Sequence, residues 1–282
     1  MLYVLSGVLA RIVSNSYLNV FQKFLTNNGS KPSVVNFYTY FGLSILSVFL
    51  IPFFEIELSS AILTNFAIMG LLGALGNYFI IKALSIGELS SIAPINSYKP
   101  VIATLVAFFY LKEIPSLYGI IGILLIIFGT YVLYDNNKYN KKAIFYRVLA
   151  LIFSGSEAVF IKKIILLTNI PTSFALWALS GLIFSLLFVL YSKHKLAFPS
   201  MKYQGLLILS VAIMQYSTNF VFSKINVSYA LALFQLSTLL SVFLGINIFK
   251  EKGLKRKIIA SLIMISGALV IILSWNFVIS CA

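Results

Sequence analysis

Two residues of opposite charge, Lys99 and Glu157, stand deep inside long apolar runs, about nine and thirteen residues from where those runs begin. On membrane-insertion scales an ionisable group in such a place costs about 2.5–3.5 kcal/mol, so it needs a reason to be there. A buried ammonium binds an anionic group of a ligand. A buried carboxylate binds a cationic group or carries a coupling proton, and Glu157 is the proton-coupling candidate. The structural alternative is a direct Lys99–Glu157 pair that only keeps two helices in register.

Polar uncharged residues accompany them. In the first run Arg11, Asn15, Asn19 and Gln22 are spaced by four, four and three, which places them on one helical stripe. A polar stripe in an apolar helix faces protein or water, either lining a cavity or bonding a neighbouring helix. Asn77 and Tyr78 form a second group. Gln215, Tyr216 and Asn219 form a third, and Asn96, Tyr98, Gln235 and Thr238 a fourth. The candidate substrate-binding set is Lys99 and Glu157 with Asn15, Asn19, Asn77, Tyr78, Asn96, Gln215, Tyr216, Asn219 and Gln235. Arg11, near one end of its run, reads as a snorkelling residue. Trp177 and Trp275 read as interfacial anchors.

No catalytic residue, metal site or cofactor is expected. The single cysteine, Cys281, and the single histidine, His194, make no cluster with ligand spacing. Gly70-x-x-Gly73-x-x-Gly76 resembles a phosphate loop but lies within an apolar run with no strand before it, so close helix packing is expected. The basic stretch Lys250–Lys257 reads as a juxtamembrane orientation signal beside lipid headgroups, not a nucleic-acid patch.

The elements that must carry these residues follow from composition. Of 282 residues 60% are hydrophobic and 10% charged, and mean hydropathy is +1.00. Soluble domains carry about 25% charged residues. This composition excludes a cytosolic enzyme, a disordered chain and a secreted disulfide scaffold. Ten apolar runs are each long enough to span a bilayer: 3–24, 34–54, 61–82, 90–111, 116–134, 144–166, 172–191, 203–223, 229–249 and 257–276. In lipid they must be helices. The first run has no basic flank or cleavage site before it, and is expected to be retained as a span.

The chain also repeats itself. Lys112-Glu113 aligns with Lys250-Glu251 at an offset of 138, which carries Asn77-Tyr78 onto Gln215-Tyr216, Ser90 onto Ser228 and Gly129 onto Gly267. Near the start of each half the offset is 140, matching Ser14-Asn15-Ser16 to Ser154-Gly155-Ser156 and Lys23 to Lys163. The expected organisation is a five-helix unit at 1–135, a polar linker at 136–143 and a second unit at 144–282. Five is odd, so the second copy enters the membrane in the opposite sense. The fold class is all-α integral membrane, ten transmembrane helices as two inverted five-helix repeats around a central cavity, a plan recurrent in secondary transporters.

Each half resembles the EamA module of the drug/metabolite transporter superfamily. The resemblance rests on Ser90-Ser91, Pro100, Leu111-Lys112-Glu113 and Gly119, Gly122 and Gly129, and on Ser228, Lys250-Glu251 and Gly267. It implies transport by alternating access, driven by a gradient or by exchange, with both termini inside the cell. Thr238 stands where the first half has Pro100. Lys99 is not part of the family's general pattern, so it bears on substrate choice.

Charge bears on orientation. The net charge is +14, and odd-numbered connections hold fifteen Lys and Arg against four in the even-numbered ones, with Arg147 counted among the fifteen. The positive-inside rule then puts odd connections in the cytoplasm and both termini outside, against the family resemblance. Richness in Ile, Asn, Lys and Tyr suggests a prokaryotic chain, hence a multi-pass protein of the cytoplasmic (inner) membrane. The expected function is secondary transport of a small polar metabolite, such as an amino acid or related zwitterion. The expected partners are that substrate and membrane lipids, with no nucleic acid, and the chain a monomer or homodimer. The alternatives are a quaternary-amine carrier using Glu157 and tyrosines, or a membrane protein that does not transport.

Overall fold

The computed structural model describes residues 2–57, 59–133, 140–193, 196–249 and 255–280. His194, Cys281, the stretch 250–254 and most of the linker, 136–139, lie outside them, as do the side chains of Ser90 and Trp275. Regular structure among the described residues is all helical. The first half holds α1 (Leu2–Asn27), α2 (Pro32–Val48), α3 (Ser60–Ile86), α4 (Leu89–Ile92), a 3-10 turn (Ala93–Tyr98), α5 (Lys99–Tyr110) and α6 (Leu117–Leu133). The second holds α7 (Lys141–Leu167), α8 (Ile170–Ser192), α9 (Met201–Phe222), α10 (Val227–Phe234), α11 (Leu236–Phe249) and α12 (Lys255–Ser280). By length and composition α1, α3, α7, α8 and α9 are each apolar enough to cross a membrane.

Local chemistry accounts for the boundaries. Ser59 caps α3 by accepting from the Ile62 amide. Asn140 caps α7 through the amides of Lys142 and Ala143, and Asn169 caps α8 through that of Thr172. Lys31, ahead of Pro32, is extended, as a residue before proline prefers. The fourth and ninth spans, expected as continuous helices, are broken. Pro94 and Pro100 each remove a backbone donor, and the chain between them runs as a 3-10 turn. The ninth span contains no proline and breaks at Gln235, whose carbonyl accepts from the Thr238 amide at 2.8 Å.

The two halves are inverted. The fifth helices, α6 and α12, pack antiparallel: Gly122 faces Gly267 and Ile271, and Gly129 faces Met264 and Ala260. A Cβ on Gly122 would stand 2.8 Å from the Gly267 carbonyl oxygen, so the two backbones touch. The second helices, α2 and α8, also run antiparallel: Tyr40 of α2 lies against Gly181 of α8, and Asn169, which caps the start of α8, donates to the carbonyl of Phe53, beyond the end of α2. Exchanging the halves carries the other contacts onto each other: α3 packs on α7 as α9 packs on α1, and α5 on α7 as α11 on α1. Repeat mates antiparallel to one another require a pseudo-twofold axis across the helices, in the plane of the membrane.

Candidate functional site

A cavity of about 100 Å³ lies between the halves, room for several water molecules. α1, α2, α3, α5, α7, α8 and α9 wall it, with the 3-10 turn of the fourth span and a residue of α10. Lys99, Glu157, Asn15, Asn19, Asn77, Asn96 and Gln215 all reach it. Lys99 is the first residue of α5, just past the 3-10 turn, because Pro100 starts that helix. Glu157 lies near the middle of α7, facing Gly73 on α3, where any side chain would collide with the carboxylate. The three glycines of the Gly70 run pack closely against α7 and α8, as their spacing suggested.

Lys99 and Glu157 interact electrostatically, yet no ion pair joins them among the described residues. Glu157 Oε1 instead accepts a hydrogen bond from Trp177 Nε1 at 2.5 Å. The Tyr40 ring lies 5.1 Å from the indole.

An amide network holds the wall. Asn15 donates to Ser237 Oγ at 2.9 Å, and Gln22 donates to Asn77 Oδ1 at 3.1 Å. Asn77 donates in turn to Asn36. Asn96, in the broken fourth span, donates to Gln235 Oε1 of the broken ninth at 3.0 Å.

Four residues of the expected set do not reach the cavity. Tyr78 packs with its ring tilted against Phe188, centroids 4.9 Å apart, and Tyr216, 41% exposed, meets Phe174 edge-on. Each follows a lining amide by one position, and one step along a helix turns a side chain by about 100°. Asn219 is buried behind the wall and bonds the Gln215 amide at 2.8 Å. Gln235 is buried too, its amide shared between Asn96 and the Leu231 carbonyl.

Three residues reach the cavity that the sequence placed elsewhere. Trp177, read as an interfacial anchor, is buried against Glu157. Arg147, counted with the odd connections, is buried because α7 begins at Lys141 and carries position 147 inside. Arg11, read as snorkelling, is buried as well and donates from Nε to Thr218 Oγ1 at 2.7 Å. Their signal was present: both arginines lie within apolar runs.

The model of the EamA-like transporter family matches residues 2–135 and again 141–273. A crystal structure of a protein 15% identical in sequence covers 95% of this chain and 98% of its own with a TM-score of 0.70, a likeness of fold alone. No curated protein matches the chain.

Proposed function

Because the chain belongs to the EamA-like transporter family, a family of multi-pass membrane transporters of small molecules, we propose that it is a secondary carrier working by alternating access. Its substrate is a small polar metabolite of amino-acid type, moved across a prokaryotic cytoplasmic membrane. Lys99 binds the substrate carboxylate. Glu157 binds the amine or carries the coupling proton, and Asn15, Asn19, Asn77, Asn96 and Gln215 bond the polar periphery.

One observation carries this reading: Lys99 and Glu157 share a cavity between inverted halves without an ion pair between them, so both charges are available to a ligand. Inverted repeats enclosing a midplane site are the geometry that rocking of one half against the other needs. Uptake of a labelled amino-acid panel into proteoliposomes tests it. Lys99→Ala and Glu157→Gln should each cut the initial rate at least about tenfold, the loss of one charge-assisted contact. Unchanged rate and substrate range in both variants sinks the assignment.

A quaternary-amine carrier is the second reading, supported by the Tyr40 and Trp177 rings near Glu157. Choline uptake lost in Glu157→Gln and kept in Lys99→Ala would favour it.

A further inference from the structure

The first helix of each half lends one arginine to the broken helix of the other half. Arg11 of α1 sits with its guanidinium carbon 5.1 Å from the Phe234 ring, at the end of α10 where the ninth span breaks. Arg147 of α7 donates from Nε to the Ile92 carbonyl at 3.3 Å, at the end of α4 where the fourth span breaks. The pseudo-twofold relates these arrangements although the two arginines are not aligned in the repeat. Because α1 and α7 run in opposite senses, Arg11 lies toward one membrane face and Arg147 toward the other.

Neither arginine is consumed by its protein contacts. Arg11 is 8% exposed and Arg147 5%, and each uses Nε alone among the described residues. Arg11 Nη1 is fully enclosed with no hydrogen-bond partner. Both arginines line the cavity together with Lys99, and both act electrostatically on it. Three cations thus face one carboxylate, Glu157, in the same space. Buried charge without a partner is unfavourable, and removing a partner from a buried pair is strongly so. A guanidinium with free Nη donors matches a carboxylate or phosphate in planar, forked geometry.

We infer that the cavity takes a net-anionic metabolite with two acidic functions, carboxylates or a phosphate, and that Arg11 and Arg147 are its specificity-determining residues at opposite ends of the path. This rests on the carrier reading and revises its substrate class from a zwitterion to an anion: an acidic amino acid, a dicarboxylate or a phosphate is preferred over a neutral amide. Whichever way the halves rock, one arginine meets the anion at the open side and Lys99 holds it midway.

Calorimetric titration of the full-length detergent-solubilised protein tests the inference, with L-aspartate, succinate and inorganic phosphate against L-asparagine and choline. At least one of the three anions should bind about tenfold or more tighter than L-asparagine, and which one does separates carboxylate from phosphate recognition. Arg11→Gln and Arg147→Gln should each weaken that anion by about tenfold and leave L-asparagine within twofold, a charge-specific change that loss of a packing role would not give. The inference is overturned if no anion binds, if L-asparagine or choline binds as tightly as the best anion, or if both variants bind the anion like the parent. Should the glutamine variants not fold, the comparison of probes on the parent decides alone. Proteoliposome uptake separates the two readings: saturable transport of L-asparagine but not L-aspartate overturns this inference and leaves the carrier standing. Tight anion binding with no saturable transport of any probe overturns the carrier instead.

Discussion

Glu157 shows how a carboxylate is kept inside this bundle. Gly73 leaves the space it occupies, and Trp177 supplies a hydrogen bond at 2.5 Å. Leaving a buried acceptor without its donor costs about 1–3 kcal/mol. Trp177→Phe should therefore lower the apparent stability of the detergent-solubilised protein by about that amount, and by much less in a Glu157→Leu background, which has no acceptor to leave unpaired. Thermal unfolding of the four proteins of this cycle measures the coupling; equal losses in both backgrounds would show that the hydrogen bond contributes nothing. The carboxylate itself was readable, since charge inside an apolar run stands out. The role of Trp177 was not, because a tryptophan near the end of a span is ordinarily an anchor. Only the packing of α8 on α2 and α3 turns it inward.

The broken helices and their connections tie the halves together. Glu113, beyond the end of α5, accepts from the Val227 amide at 2.9 Å and pairs with Lys162 of α7. Lys162 Nζ also donates to the Ile225 carbonyl at 2.9 Å. One carboxylate of the first half thereby fastens two elements of the second, on the face where α10 begins. Breaking such a pair from one side leaves a largely buried ammonium without its counter-charge, at a cost of about 3–5 kcal/mol. Glu113→Ala should lower the melting midpoint accordingly, and adding Lys162→Met should recover most of the loss; a single variant that melts with the parent would dismiss the tie. In the sequence Glu113 appeared as a repeat marker, and Lys162 stands inside the sixth apolar run. Nothing local announces a pair separated by 49 residues. The break of the fourth span was not read from the sequence: Pro100 stood there as a mark of the family resemblance inside a continuous run, and the 3-10 turn at Ala93–Tyr98 has Pro94 at its start and Pro100 just beyond its end.

For the molecule as a whole, inversion and charge bear on orientation. The burial of Arg147 removes one residue from the odd-side count and leaves the bias clear. It predicts the α1–α2 connection in the cytoplasm and the α9–α10 connection outside. In a Cys281→Ser background, a membrane-impermeant maleimide applied to intact cells should label Lys224→Cys and spare Asn28→Cys. The reverse pattern would put both termini in the cytoplasm, as the family resemblance implies.

Hydropathy, an odd number of spans per repeat and the offset between the halves sufficed for the all-α membrane class and the inverted duplication. These depend on composition and counting, and parity leaves no second solution. Which polar residues share water was decided by packing. A helix turns by about 100° per residue, so the rotation of each helix against partners from the other half brings Asn77 into the cavity and sends Tyr78 out of it. The same rotation, with the breaks at Ile92 and Gln235, sets Arg11 and Arg147 against contacts far away along the chain. No local pattern encodes those distances; they exist only once the two copies have closed on each other.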